Sequence, residues 1–298
     1  MKTIFIFALF FSATTLSAQK TDTRLQAMLT KLVEGFHGDV GIYVYDLAND
    51  KIASIHADTI FPTASMVKVP ILTGLMYKIH NGDFTYHQEM LFTDSVRYSE
   101  GQEILASFRD STKIQLNQLV MLMMSMSDNG ASLWLQGLSG GGAQINSYMD
   151  SLGLKYTRVN SRTPGRKENY NLYGWGQTTP KEMATLMKMI VENKIIDKQI
   201  SERMLRMMSR QFWDEDAISQ IPPNVFVADK SGAVDATRDE VLYVNGKHPY
   251  IFCVCTKNNK DTSWEHDNEA WVLTRKLSAL LWKYFNPKST WTPPAFLK

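Results

Sequence analysis

The sequence predicts an α/β protein of the α+β kind, in which helices from both chain ends flank an antiparallel sheet and a helical lobe is inserted. Strand-like alternation of apolar residues is confined to two distant stretches, near 40–57 and 225–256. Between them, from about 62 to 210, apolar residues recur mostly at helical spacing. The simplest assembly joins both stretches in one sheet and packs the helical block beside it, with a site where the two lobes meet.

Composition fits a soluble globular chain with a sizeable core. The 298 residues are 44% apolar and carry 32 basic against 30 acidic side chains. Such a balance excludes collagen-like and largely disordered chains and gives no reason to expect a nucleic-acid partner. We find no internal repeat or linker, and we expect a monomer.

The first residues are typical of a signal peptide. Lys2 precedes the apolar run 4–11, and small and polar residues follow up to Ala18. The run is too short to span a bilayer, so no membrane span is expected. We therefore predict a signal peptide over 1–18, one domain over 19–298, and a periplasmic or secreted protein.

Each flanking element has its own sequence signal. A single apolar helix face over 22–36 precedes the first strand, and Asn49-Asp50 is a turn into a second strand near 51–57. Within the lobe, Thr179-Pro180 caps a helix with a glutamate at its third position. The remaining predicted elements are strands around 225–229, 240–245 and 249–256, a turn at Asn245-Gly246, and a helix near 264–285.

Cys253 and Cys255 share one face of a predicted strand. An extended backbone holds such thiols poorly for an unstrained disulfide, so we expect two buried free thiols. A redox or metal-binding pair is the alternative.

Three short motifs carry the chemistry. Each is common by chance, but together, with the first opening a helix and the third on a strand, they are far more specific. They are Ser65-Met66-Val67-Lys68, Ser127-Asp128-Asn129 and Lys230-Ser231-Gly232-Ala233.

Physical chemistry supports this grouping. A serine needs a nearby base to act as a nucleophile, and Lys68 shares a helix face with Ser65. A lysine acts as a base when burial or a second cation destabilises its ammonium, and Lys230 is the candidate cation. Gly232 lets the strand backbone approach a ligand closely, so the N–H groups of Ser65 and Ala233 can form an oxyanion hole.

With these motifs the chain resembles the class A β-lactamase-like serine hydrolases, within the larger group that includes penicillin-binding DD-peptidases. The resemblance covers nearly the whole chain after residue 18 and implies a β-lactamase/transpeptidase-like fold. It implies that Ser65 is acylated, that Lys68 is its base, and that Ser127, helped by Lys230, passes a proton to the leaving nitrogen. The implied substrate-binding residues are Asn129, Ser231, Gly232, Ala233, Tyr98 and Arg238.

One loop departs from the family pattern. Class A β-lactamases carry Arg-x-Glu there, and the glutamate positions the water that frees the acyl-enzyme. Here Arg162 fits, but Pro164 stands at the glutamate position, and proline cannot act as a base. Glu168, four residues later, is the replacement candidate; a solvated loop carboxylate is the alternative.

The resemblance implies a β-lactam or peptidoglycan-like acyl substrate. The histidines show no metal-ligand spacing, so neither a metal nor a cofactor is predicted. The leading hypothesis is an exported serine β-lactamase. The alternatives are a DD-peptidase or esterase with the same serine site, and a sensor that binds penicillin or peptidoglycan fragments without turnover.

Overall fold

A six-stranded sheet forms the centre of the molecule, which a computed structural model describes over residues 19–97 and 103–295. Its strands are β1 (Lys20–Thr21), β2 (Asp39–Asp46), β3 (Lys51–Ile55), β9 (Phe226–Val234), β10 (Thr237–Asn245) and β11 (Tyr250–Lys257). They lie in the order β1-β3-β2-β11-β10-β9, antiparallel except for the β1–β3 pair. The predicted union of two distant stretches in one antiparallel sheet is confirmed, and β9 is an edge strand.

Helices cover this sheet as the sequence predicts. The terminal helices are α1 (Thr23–Leu32) and α9 (Glu269–Phe285). The inserted lobe contains α2 (Lys68–His80), α3 (Leu116–Ser125), α4 (Asn129–Leu138), α5 (Gly141–Ser151), α6 (Lys167–Tyr173), α7 (Pro180–Val191) and α8 (Lys198–Met208). The predicted cap of α7 is present, because the Thr179 hydroxyl accepts a hydrogen bond from the Glu182 N–H.

The inserted lobe also holds two small sheets that apolar periodicity does not reveal. Their strands are β4 (Phe61–Pro62), β5 (Glu89–Phe92), β6 (Thr112–Gln115), β7 (Arg158–Val159) and β8 (Gly176–Thr178). Strands of two to four residues are too short for an alternation to stand out.

The two faces of the main sheet bury different cores. Leu242 and Phe252 face α1 and α9, whereas Val241 and Cys253 pack with the helical lobe. This division follows from alternation along β10 and β11, in which neighbouring side chains point to opposite faces. Cys253 and Cys255 are both buried and unbridged, with sulfur atoms 3.7 Å apart, which confirms the predicted free thiols.

Among residues 19–97 and 103–295, no helix is long and apolar enough to cross a membrane. The predicted signal peptide, residues 1–18, lies outside the described residues.

Candidate active site

The turn that carries Ser65 is pressed against the edge strand β9. Ser65 lies in a short 3₁₀ helix, Ala64–Val67, which leads directly into α2. A Cβ on Gly232 would lie 2.6 Å from the Thr63 carbonyl oxygen and 2.9 Å from the Ser65 nitrogen. Only glycine therefore lets β9 approach the nucleophile turn this closely, whereas the sequence predicted that Gly232 lets the strand approach a ligand.

Lys68 joins the first two motifs. It is fully buried, and its Nζ lies 2.9 Å from the Ser65 Oγ. The same nitrogen lies 2.9 Å from the Ser127 Oγ and 2.9 Å from the Asn129 Oδ1. Burial is the main cause that holds the pKa of Lys68 well below its usual range, and the charge of Lys230 is the second. The carboxylates of Asp128 and Glu103 act in the opposite direction. A neutral amine at this position can accept the Ser65 proton.

Lys230 is the second buried cation. It is inaccessible to solvent, and its ammonium donates to the Ser231 carbonyl oxygen over 2.8 Å. Burial lowers its pKa to about 8, although the carboxylates of Asp229 and Glu240 act in the opposite direction. Lys230 therefore stays largely charged at neutral pH, where Lys68 is disfavoured as an ammonium.

A buried aspartate fixes the loop that holds Ser127. Asp128 caps α4 by accepting from the Ala131 N–H at 2.8 Å, and its other oxygen accepts from the Leu105 N–H at 3.0 Å. Ser127 itself has a φ of 57°, in the left-handed region that non-glycine residues rarely occupy. This constrained loop directs two groups, the Ser127 hydroxyl and the Asn129 amide, onto one lysine.

The third motif lines a cleft of about 530 Å³ that contains Ser65 and Ser127. Ser231, Gly232 and Ala233 all contribute to this cleft. The structure thus brings the nucleophile, the amine, the second hydroxyl, the amide and the edge strand together in one place. We find no group of histidine, cysteine or acidic residues that could hold a metal ion in the described parts of the chain.

Two predicted site residues, Arg238 and Glu168, are not brought to the cleft. Arg238 is 1% exposed, donates to backbone carbonyls, and its guanidinium lies 4.6 Å from the rings of both Trp264 and Trp271. Glu168 is exposed on the first turn of α6 and does not line the cleft. Tyr98 lies outside the described residues.

The strand register explains the position of Arg238. In the β9–β10 hairpin Ser231 pairs with Glu240, whereas Arg238 pairs with Ala233, nearer the turn. Sequence reasoning therefore missed Glu240, which lines the cleft together with Asp216 of the preceding loop. Counting forward from a hairpin turn at Asp235 would have found Glu240, but the sequence alone does not locate that turn.

Known proteins share this architecture over most of the chain. A family model described as "Beta-lactamase enzyme family" matches residues 23–285. The β-lactamase VEB-1 of Pseudomonas aeruginosa is 20% identical over 294 residues, which cover 94% of this chain and 96% of the relative.

Solved structures show the same fold. The structure of PBP-A has a TM-score of 0.79 at 22% identity and covers 92% of this chain and 100% of its own. A β-lactamase from Sphaerobacter thermophilus has a TM-score of 0.78 at 19% identity, with 92% and 100% coverage. These identities are low, so the structural likeness establishes the fold, while the family match covers the segment that holds all three motifs.

Proposed function

The chain belongs to the β-lactamase enzyme family, and from that premise we propose that it is an exported serine hydrolase that opens β-lactams through an acyl-enzyme on Ser65. The observation that carries this proposal is the position of the Lys68 Nζ, within 2.9 Å of both the Ser65 and the Ser127 hydroxyl oxygens. A buried neutral amine between two serine hydroxyls is suited to moving one proton between them.

The acylation step follows from these contacts. Lys68 accepts the Ser65 proton as the Ser65 Oγ bonds to the lactam carbonyl carbon, and the N–H groups of Ser65 and Ala233 stabilise the developing oxyanion. The carbon–nitrogen bond then breaks, and Ser127 delivers a proton to the leaving nitrogen while it regains one from Lys68. The Lys230 ammonium favours negative charge on this side of the cleft, and the Asn129 amide is available to the substrate's acyl chain.

Among the described residues, the loop 160–171 offers no carboxylate that lines the cleft and could act as the base for release of the acyl group. Pro164 occupies the expected glutamate position, and Glu168 is exposed on α6. Among described residues, the carboxylates that line the cleft belong to Glu215, Asp216, Asp239 and Glu240, not to the loop 160–171. This arrangement favours the second candidate function, a penicillin-binding protein or peptidase whose β-lactam adduct persists.

The test follows a chromogenic cephalosporin and the mass of the protein together. We expect a burst near one equivalent and then slow turnover, with an adduct that disappears in Ser65→Ala. Glu168→Gln should leave the slow phase unchanged, like the exposed control Glu202→Gln, because neither carboxylate reaches the cleft.

Two outcomes would contradict parts of this proposal. Free turnover by the wild type together with a trapped adduct in Glu168→Gln would identify Glu168 as the deacylating group. An adduct of equal yield in Ser65→Ala would overturn the assignment of the nucleophile.

A further inference from the structure

The cleft that contains Ser65 has an aromatic side that acylation does not use. We call it the aromatic wall and define it by Met126, Phe212 and Trp213, all of which line the cleft. The rings of Phe212 and Trp213 meet edge to face, with their centroids 5.1 Å apart. These side chains are 59% and 57% exposed, although burial of such large rings is strongly favourable. Adjoining exposed rings at the side of a reaction cleft are typical of a surface that binds a ligand.

Two hydrogen bonds to backbone carbonyls tie the aromatic wall to the turn that carries Ser127. The Phe212 N–H donates to the Ser125 carbonyl oxygen over 3.1 Å, and the Trp213 indole N–H donates to the Met126 carbonyl oxygen over 3.1 Å. Ser125 and Met126 directly precede Ser127 in the chain. The two rings therefore have a fixed position relative to the Ser127 hydroxyl.

The residue before Phe212 ties the same segment to the edge strand. The side-chain amide of Gln211 donates to the Asp229 carbonyl oxygen of β9 over 2.8 Å. The segment 211–213 thus connects the end of α3 with the strand that carries the third motif. Its rings are exposed at a braced position, not on a loose loop.

The aromatic wall lies on the leaving-group side of Ser65. In the proposed acylation, Ser127 protonates the leaving atom, and the Asn129 amide serves the acyl chain. Met126 and Trp213 line the cleft together with Ser127, whereas Asn129 does not line it. A substituent on the leaving group therefore meets these rings, and a substituent on the acyl chain does not.

The acidic residues of the cleft give no reason to expect a cation on this wall. Burial holds the pKa values of Asp239 and Glu240 well above their ordinary values, which favours neutral carboxyl groups. Asp216 is paired with Arg275, with a carboxylate oxygen and a guanidinium nitrogen 3.2 Å apart. What the aromatic wall adds to the cleft is therefore apolar contact.

We propose that the aromatic wall binds an apolar, ring-bearing substituent on the leaving group of the acyl substrate, so that Phe212 and Trp213 set the specificity for that group. This inference rests on the proposed acylation of Ser65 and names a class of its substrate. Edge-to-face and stacked rings attract each other beyond the gain from buried apolar area, so a ring is favoured over an alkyl group.

Thioesters that differ only in their leaving group test this preference in the unmodified protein. The probes are single enantiomers of N-acetylglycyl thioesters of thiolactate and of its analogues in which isobutyl or benzyl replaces the methyl group. In each reaction the bond between the Ser65 Oγ and the carbonyl carbon forms and the carbon–sulfur bond breaks. The Ser65 proton reaches the leaving sulfur through Lys68 and Ser127. Released thiol gives the second-order rate constant of acylation, which is divided by the rate constant of alkaline hydrolysis of the same ester.

We expect the benzyl ester to acylate Ser65 about tenfold faster than the methyl ester, with the isobutyl ester between them. The acyl group contains no ring, so a ring preference can come only from the leaving group. All three esters form the same acetylglycyl adduct on Ser65. The mass of the adduct and the rate of its decay should therefore be identical for the three esters, which is an internal check.

Variants then locate the preference. Phe212→Ala should reduce the ratio of the benzyl to the methyl rate constant by about threefold or more, because it removes one ring and keeps the backbone N–H that binds Ser125. Phe226→Ala is the matched control, because Phe226 is 40% exposed and does not line the cleft. Its ratio should match that of the wild type.

The outcomes separate this inference from the proposed function. Similar corrected rate constants for the three esters, or a benzyl ester that reacts most slowly, would overturn the inference while leaving the acyl-enzyme intact. Equal rate constants for the isobutyl and benzyl esters would overturn the preference for a ring. A benzyl preference that Phe212→Ala leaves unchanged would overturn its assignment to the aromatic wall. Absence of any adduct from thioesters and β-lactams alike would overturn the proposed function, and this inference with it.

Discussion

Two buried lysines share the active site, and each residue's surroundings decide which of them carries the proton. Lys68 is hydrogen-bonded to two hydroxyls, an amide and a backbone carbonyl, and the carboxylates of Asp128 and Glu103 only partly oppose the effect of its burial. Lys230 lies next to Asp229 and has Glu240 on the neighbouring strand. Because a nearby negative charge favours an ammonium, the proton is held on Lys230 and the free amine on Lys68. The sequence predicted both roles, because the motif spacing already pairs each lysine with its serine.

The fall of the acylation rate constant at alkaline pH should report the loss of the Lys230 charge. Its pKa is lowered to about 8 by burial, so its charge is present below that pH and is lost above it. We expect the rate constant of Ser65 acylation to fall as pH rises through about 8. Arginine keeps its charge to higher pH than lysine, so Lys230→Arg should shift this fall in rate to higher pH, whatever its effect on the maximum rate. Stopped-flow measurement of the acylation rate constant across the pH range tests this, with Lys260→Arg, at an exposed position, as the control. The same alkaline fall in wild type, Lys230→Arg and Lys260→Arg would contradict the prediction.

At the scale of elements, the site depends on how closely one edge strand approaches one turn. The order and type of the flanking elements were predictable, because alternation and helical periodicity extend over many residues. The register of the β9–β10 hairpin was not, because it depends on the hairpin turn near Asp235, where φ is 42°. That register places Glu240 opposite Ser231 and moves Arg238 toward the tryptophans. Likewise, exposure of Glu168 follows from a short helix, α6, that the loop composition did not indicate.

Gly232→Ala tests the close approach of β9. The added Cβ would lie 2.6 Å from the Thr63 carbonyl oxygen, a backbone atom, so either the strand or the nucleophile turn must move. We expect acylation of Ser65 to fall by about 10²-fold or more, since catalysis depends on the placement of reacting groups within about 1 Å. Gly246→Ala is the control, because its nearest contact is a tryptophan side-chain atom at 3.3 Å. Acylation of Gly232→Ala at the wild-type rate would show that the strand does not contribute to the site as described.

At the scale of the whole molecule, one layer of buried carboxyl groups links the stability of the fold to the active site. The carboxyls of Asp229, Asp239 and Glu240 are at most 4% exposed, and burial raises the pKa of each above its ordinary value. Hydrophobic cores on both faces of the sheet hold these groups out of water. Buried carboxyls that are not fully paired reduce stability, and functional sites commonly retain such groups. The sequence could not show this layer, because acidic residues within a strand normally indicate a solvated face.

The pH dependence of unfolding should reveal this layer. Burial raises the pKa of Asp229 to about 7, so the folded protein binds a proton that the unfolded chain has released above about pH 4. The stability contributed by that bound proton is fully present below the unfolded pKa and is lost as pH rises through about 7. We therefore expect Asp229→Asn, which stays neutral, to gain Tm relative to wild type between pH 5 and pH 8, with about 2–4 °C for each kcal/mol recovered. The exposed control Asp267→Asn should keep a constant offset from wild type across the same range. Differential scanning calorimetry at both pH values measures the effect, and an Asp229→Asn offset that does not change with pH would show that this carboxyl is ionised in the folded protein throughout.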